Sequence, residues 1–242
     1  MRVAVFDIWG TFAHFRKFWT TSSSLSYPFP PPPTIRGILG AILGYRKEEY
    51  IKETSPFKVG VRILNPVKRI KISLNFLHTA DLYISNFEKF TEKIQTKGLL
   101  HTQTVVEVLK NPKYRIYVSS EDPQRFEELE ETLKGEENVY TISLGWANFL
   151  AKYSYIGTFE GKKEEKSPKA DSIVPMDKVL SLEFEKNAPQ YLARDRIPLH
   201  LAEDRKPLSY TSVVYSLDAK PIRGEFKDLI ELPTGEVIHL FP

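Results

Sequence analysis

The chain contains no cysteine. Disulfides, thiolate nucleophiles and cysteine–zinc sites are excluded from the outset. Histidine is scarce, and His14, His78, His101, His200 and His239 show no HExxH or other metal-ligand spacing. The carboxylates form no DxD-type cluster for magnesium, and no GxSxG elbow is present. No metal and no cofactor are therefore expected. No apolar run approaches the length of a membrane span. The first residues, MRVAVFDIWG, lack the charged start, long apolar centre and cleavage site of a signal peptide. A cytoplasmic chain without membrane contact is expected. An excess of one charge is also missing: the net charge is +3, too small to argue for nucleic acid by itself, so the distribution of charge has to decide.

What is present is a globular composition over 242 residues, enough for a substantial core and one or two domains. Abundant Lys and Glu, few thermolabile residues and 17 prolines lean toward a thermophilic source. The most informative stretch runs from Gly10 to Gly44, GTFAHFRKFWTTSSSLSYPFPPPPTIRGILGAILG. Its loop carries Phe12, His14, Phe15, Arg16, Lys17, Phe18, Trp19, Tyr27 and Phe29, and closes on four prolines, Pro30 to Pro33. Rings beside fixed cations are what unpaired nucleotides need, for stacking and for phosphates. Such rings serve equally well as core.

After the loop, Thr34 is placed to cap a helix whose apolar set is Ile35, Ile38, Leu39, Ile42 and Leu43. Gly37, Gly40 and Gly44 cost that helix about 1 kcal/mol each against alanine, which implies close approach of a sheet or a ligand backbone. Their spacing is neither GxGxxG nor a Walker loop. Arg36 lies within this helix and joins the candidate cations. Strands are expected over Arg2–Ile8, KVGVRIL (58–64), KRIKISLNFL (68–77), Thr102–Leu109, Tyr114–Ser119 and Val139–Leu144, with an ambiguous stretch at 78–104 that holds a possible short helix. PQRFEELEETLK reads as a helix buried through Phe126, Leu129 and Leu133 and stopped by Gly135, with an acidic outer face. The order strand, helix, two strands, helix, strand over residues 1–144 is ferredoxin-like (RRM-like), an α+β class. Residues 145–242 read as a smaller, mainly β part. Its charged run GKKEEKSPKADS (161–172) is expected to be a solvated loop.

Lys58, Arg62, Lys68, Arg69 and Lys71 could line a phosphate track, with a solvated sheet face as the plain alternative. Metal-independent RNA cleavage needs only a base for the 2′-OH and an acid for the leaving oxygen. Tyr45 and His101 are the candidate pair, although packing against the sheet and a surface turn would also explain them.

At these residues the sequence resembles the fifth CRISPR-associated (Cas) protein family, which belongs to the repeat-associated mysterious proteins (RAMPs). The signature is a first strand, then Gly10, Phe12, Ala13, Phe15 and Arg16, then Pro33, Thr34, Gly37, Leu39, Gly40 and Ala41. Leu144-Gly145 with Ala151, and the distal DRIPLHL (195–201) followed by SVVYSL, agree with it. The likeness is to variants from archaeal and thermophilic type I systems. It implies a ferredoxin-like RAMP domain with a β-hairpin thumb between its second and third strands. It also implies binding of the CRISPR RNA (crRNA) 5′ handle within a Cascade surveillance complex in antiviral defence, with the backbone and large subunits as neighbours and target DNA only an indirect partner. One branch of the family is itself an endoribonuclease using a Tyr with a Lys-His pair. Tyr45 lies near the tyrosine position, but Leu100 precedes His101 where the lysine would stand, which favours holding RNA over cutting it. The residues expected at RNA are Phe12, His14, Phe15, Arg16, Lys17, Trp19, Arg36, Lys58, Arg62, Lys68 and Arg69. Pro33, Gly37, Gly40, Gly44 and Gly145 are expected to shape the backbone. A metal-independent nuclease and a general DNA-binding module are the competing readings.

Overall fold

In the structure, a computed structural model, residues 1–20, 24–77, 101–184 and 191–242 are described. The expected short helix SNFEKFTEKI (85–94) lies outside them. The chain builds β1 (Arg2–Gly10), three short strands β2 (Phe12–Ala13), β3 (Phe15–Arg16) and β4 (Ser26–Tyr27), then α1 (Pro32–Leu43) and α2 (Tyr50–Glu53). There follow β5 (Phe57–Ile63), β6 (Arg69–Leu77), β7 (His101–Lys110), β8 (Lys113–Ser120) and α3 (Pro123–Gly135). The last third holds β9 (Ala151–Glu160), β10 (Lys162–Ala170), β11 (Val174–Pro175), β12 (Val179–Leu182), β13 (Leu192–Leu201), β14 (Pro207–Ser216), β15 (Ile222–Glu231) and β16 (Val237–Ile238).

The framework is a four-stranded sheet in the order β5-β8-β1-β9, every neighbouring pair antiparallel. Alternation along β1 sends Ala4, Phe6 and Ile8 to one face and Val3 and Val5 to the other. The first face packs on Ile35, Leu39 and Ile42 of α1 and on Phe126, Leu129 and Leu133 of α3, all fully or almost fully buried. The second meets Ile230, Leu232, Ile238 and Leu240 from the C-terminal part. Both faces of β1 are thus covered along its first half, as its continuous apolar run requires. Two further sheets, β10-β15-β12 with β16, and β11-β14-β13, make up the C-terminal part, while β2-β7-β6 forms a separate three-stranded ribbon.

Several sequence expectations need correcting. Val139–Leu144 is not a strand. Its backbone satisfies the open end of α1 instead, Tyr140 N donating to Ala41 O at 3.0 Å and Val139 N to Ile42 O at 3.3 Å. The fourth strand of the sheet is β9, beyond the boundary placed at 144, and the main core also takes in Ile173, Ile197, Val213, Tyr215 and Phe241. The charged run at 161–172 is not a loop either. Most of it is β10, whose backbone is paired along β15, with Lys162 opposite Glu231 and Lys163 in an ion pair with Asp228 at 3.3 Å. Its charges line an exposed face while β15 contributes the buried Ile222, Phe226 and Leu229.

At α1 the cap is Pro31 rather than Thr34, because Pro32 and Pro33 occupy the first turn, where the missing N–H costs nothing. Gly40 accommodates the Tyr50 side chain, whose Cβ would stand 2.9 Å from an added methyl group, rather than a sheet or a ligand. Gly44 closes α1 in the left-handed conformation, φ 81°. Helix α3 runs through Gly135, and Glu136 takes the left-handed position.

The C-terminal part is locked to the sheet by charge. Glu236 Oε1 accepts from Arg62 Nη1 at 2.6 Å, Arg115 Nη1 at 3.0 Å and the Tyr117 hydroxyl at 3.1 Å, while Arg115 also grips Asp7. Glu236 is buried, so neutralising it leaves Arg62 with Asp171 alone, at 3.4 Å, and Arg115 with Asp7 alone. Glu236→Gln is expected to lower unfolding free energy by about 3 kcal/mol, read from urea titration. Glu164→Gln, at the exposed pair with Lys162, should change it by less than about 1 kcal/mol.

Candidate nucleic-acid interface

The aromatic loop is held by polar bonds at its base and left open at its tip. Strand β2 pairs with β7, Phe12 opposite Lys110, and β3 pairs with β4, Phe15 opposite Tyr27. Between them His14 is buried. Its Nδ1–H donates to the Glu107 carbonyl at 2.7 Å, so its Nε2 accepts from the Ser24 hydroxyl at 2.9 Å. Glu107 also receives Ser26 N on its carboxylate at 3.1 Å, and its own N–H donates to Ser24 O at 2.9 Å. Gly145 is essential to this packing. It sits at φ 96°, and a Cβ there would lie 1.8 Å from the His14 carbonyl oxygen.

From this base the chain rises through Lys17 to Phe18 and Trp19, both exposed. The Phe18 ring lies 4.4 Å from Tyr210 of β14 and edge-on to Trp19 at 4.8 Å. The Arg196 guanidinium of β13 covers the Tyr210 ring at 4.7 Å. Arg16 is exposed beside them, steadied by a bond to Thr20 O. The result is a surface cluster of three rings and two arginines. A second aromatic row, Phe12, Phe149, Trp146 and His14, runs along the other side of the loop at successive centroid spacings of 5.9, 5.3 and 4.6 Å.

The sequence candidates divide on this geometry. Arg16 and Trp19 are presented at the surface, and Phe12 is half-buried in the second row. Phe15 belongs to the main core and His14 is interior, so neither ring can take a base. Lys17 is spent on Asp195, at 2.5 Å with both side chains largely buried. Arg36 is buried in α1, with only a long 3.4 Å contact to Phe57 O. Arg62 serves the Glu236 cluster and Lys58 pairs with Glu121, so the proposed phosphate track along β5 is taken up by protein carboxylates. Lys68, Arg69 and Lys71 are exposed at the base of the β6/β7 hairpin, Arg69 within 3.7 Å of Glu107.

Tyr45 and His101 lie on different elements, Tyr45 just after α1 and His101 at the start of β7. The Tyr45 hydroxyl accepts from Arg125 Nη1 at 2.6 Å and donates to Glu128 at 3.3 Å, against acidic α3. Burial raises its pKa, opposed by the Arg125 bond. His101 opens β7, a 10-residue strand about 30 Å long, at the end remote from the sheet, and its side chain lies outside the described residues. Among the described residues no group of three or more His, Asp or Glu could hold a metal ion, and no helix is long and apolar enough to cross a membrane.

Phe18 was visible as part of an aromatic loop, but Arg196 and Tyr210 were not anticipated. The only hint was the alternation of charge in LARDRIPLHL, which puts Arg194 and Arg196 on one strand face. Trp146 and Phe149 lay within a motif noted only for its glycine and alanine.

Burial lowers the pKa of His14, partly offset by its bond to the Glu107 carbonyl. The unfolded chain therefore takes up this proton at a higher pH than the folded one. The stabilisation from the neutral ring is complete above about pH 6.5 and is lost as pH falls toward the depressed folded value. The unfolding free energy of wild type minus that of His14→Gln should accordingly shrink between pH 7.5 and pH 5 in parallel urea titrations. A constant difference would mean that the ring is not held neutral.

A family model described as CRISPR-associated protein (Cas_Cas5) matches residues 3–199. In fold the chain is similar to a CRISPR protein from Archaeoglobus fulgidus, at 12% identity with 98% of each chain covered and a TM-score of 0.58. It is also similar to a chain of a CRISPR RNA-guided surveillance complex, at 12% identity, 97% of this chain and 92% of that one, and a TM-score of 0.50. No curated protein matches it in sequence. With the family match spanning the sheet, the aromatic loop and the β13 strand that meets it, the chain belongs to the Cas5 family of CRISPR-associated proteins.

Proposed function

We propose that this protein is a subunit of a CRISPR effector complex that holds the 5′ handle of the guide RNA on its aromatic loop. The observation that carries this reading is the cluster of exposed Phe18 and Trp19 on half-buried Tyr210, with Arg196 over the Tyr210 ring and Arg16 exposed on the same loop. Rings of this kind stack on unpaired bases whatever their identity, and the arginines meet the phosphates. Family membership supports the partner, and the surveillance complex among the fold's relatives supports the assembly. The order β1-α1-β5-β8-α3-β9 around the β5-β8-β1-β9 sheet supports a ferredoxin-like frame. The β6/β7 hairpin, between the second and third of those strands, would then be the thumb. Its exposed Arg69 and Lys71 extend the cationic surface away from the loop.

Replacing Phe18 and Tyr210 by alanine is expected to weaken binding of handle RNA by about 1–3 kcal/mol per lost stack. Alanine at Arg16 and Arg196 should lower the slope of log affinity against log salt by about 0.7 for each phosphate contact removed. Filter binding over a salt series measures both, and an unchanged affinity in all variants would reject the loop as the site. Equal affinity for DNA of the same sequence would favour the general nucleic-acid module instead.

Holding rather than cleaving is supported by the partners of Tyr45. Tyr45→Phe is expected to leave RNA binding unchanged. Labelled repeat RNA should stay intact with wild type in EDTA, and a product band that disappears in Tyr45→Phe would restore the nuclease reading.

A further inference from the structure

The C-terminal part covers the helix-free face of the main sheet only along its first half. Where that cover ends, a cleft of about 680 Å³ opens at the far end of β1. Its walls come from Trp9 to Thr11, from Asn65 after β5, from the turn at Asn111 and Pro112, and from the starts of β8 and β9. The volume falls within the range of small-ligand sites, about 300–1,000 Å³.

The chemistry inside follows from strand register. Trp9 lies opposite Lys113 on β8 and opposite Lys152 on β9, so an indole is flanked on both sides by lysines that share its face. The Lys113 ammonium stands 5.7 Å from the Trp9 ring centroid, with Asp7 at 3.5 Å behind it. Lys152 is exposed and makes no ion pair with the described residues. No acidic residue lines the cleft. Asn65 donates to the Asn111 carbonyl at 3.0 Å, a bond that uses its amide nitrogen and leaves its amide oxygen for a ligand. Leu150, at the mouth, is 60% exposed and adds an apolar rim. Phe149, the neighbour of Leu150, packs on Phe12 and Trp146, which are half-buried.

An aromatic face, the Lys152 ammonium with Lys113 beside the ring and held by Asp7, and an amide acceptor match a nucleotide: ring for base, ammonium for phosphate, amide for a base-edge N–H. We infer that the Trp9–Lys113–Lys152 cleft is a second RNA-binding subsite that takes an unpaired nucleotide. This rests on the RNA-binding reading above and adds a place on the protein that the loop cluster does not include. An acidic segment of a neighbouring subunit would satisfy the lysines, but it would leave the indole and the amide oxygen without matching groups.

The test uses the full chain and handle RNA carrying 4-thiouridine at successive positions. Photocrosslinked peptides containing Trp9 or Lys152 are expected from one position, distinct from the position that crosslinks to the loop. Trp9→Ala with Lys152→Ala should weaken binding by about 5- to 150-fold, the range of one lost stack. Lys152→Ala alone should reduce the salt slope by about 0.7. Trp9→Phe, which keeps a ring and the packing, should retain most of the affinity and so separates loss of stacking from loss of fold. Unaltered binding in the Trp9 and Lys152 variants, while Phe18→Ala and Tyr210→Ala are impaired, overturns the cleft and leaves the loop assignment standing. Normal RNA affinity together with failure to join the effector complex would make the cleft a protein contact and also overturn it. A wild-type chain that binds no RNA at all rejects both assignments.

Discussion

The proposed RNA-binding surface depends on one attachment, that of the aromatic loop to β7 through Glu107. Its carbonyl takes the proton of His14, its carboxylate takes Ser26 N–H, and its own N–H is given to Ser24. A loop of this length would otherwise carry unpaired backbone groups across a hydrophobic interior, at a cost of one to a few kcal/mol each. Gly145 permits the arrangement, because any side chain there would collide with His14. With its base pinned in this way, the loop can expose Phe18 and Trp19 without ordering them entirely at the expense of a ligand.

The electrostatics sort the basic residues into two kinds. Lys17, Lys58, Arg62 and Arg115 are matched by Asp195, Glu121, Glu236 and Asp7, and they hold elements of the fold together. Among the described residues Arg16, Arg196 and Lys152 make no ion pair, and they stand at the surface. The small net charge hides this division, since Asp7, Asp171 and Glu236 are buried within the fold and four glutamates are gathered on α3. The Lys17–Asp195 pair matters in another way. It ties the loop to β13, so the N-terminal aromatics and the C-terminal Tyr210 and Arg196 form one platform rather than two.

Much of the frame was legible. Pro123 with the Phe126, Leu129 and Leu133 stripe marks α3, and alternating apolar residues mark β5 to β8, because these are local patterns with a fixed period. The apolar segment Val139–Leu144 misled because two needs compete for it. It has the composition of a strand, yet it meets the open carbonyls at the end of α1 first. The run Lys162–Ala170 misled for the opposite reason: its own side chains carry little burial, and it is a strand only because β15 supplies both the hydrogen bonds and the apolar face.

Local signals in the chain set the helix opened by Pro123, the apolar stripe of α1, the aromatic and basic content of the loop, and the resemblance to its family. Which rings and cations are available was decided only by tertiary structure. Phe15 and Phe18 are three residues apart and chemically identical, but β3–β4 pairing turns one into the core and leaves the other beside Tyr210. Trp9 gains its two lysines from strands that begin more than 100 residues later in the chain. Burial and counter-charge are properties of neighbours in space, and no pattern along the chain encodes them.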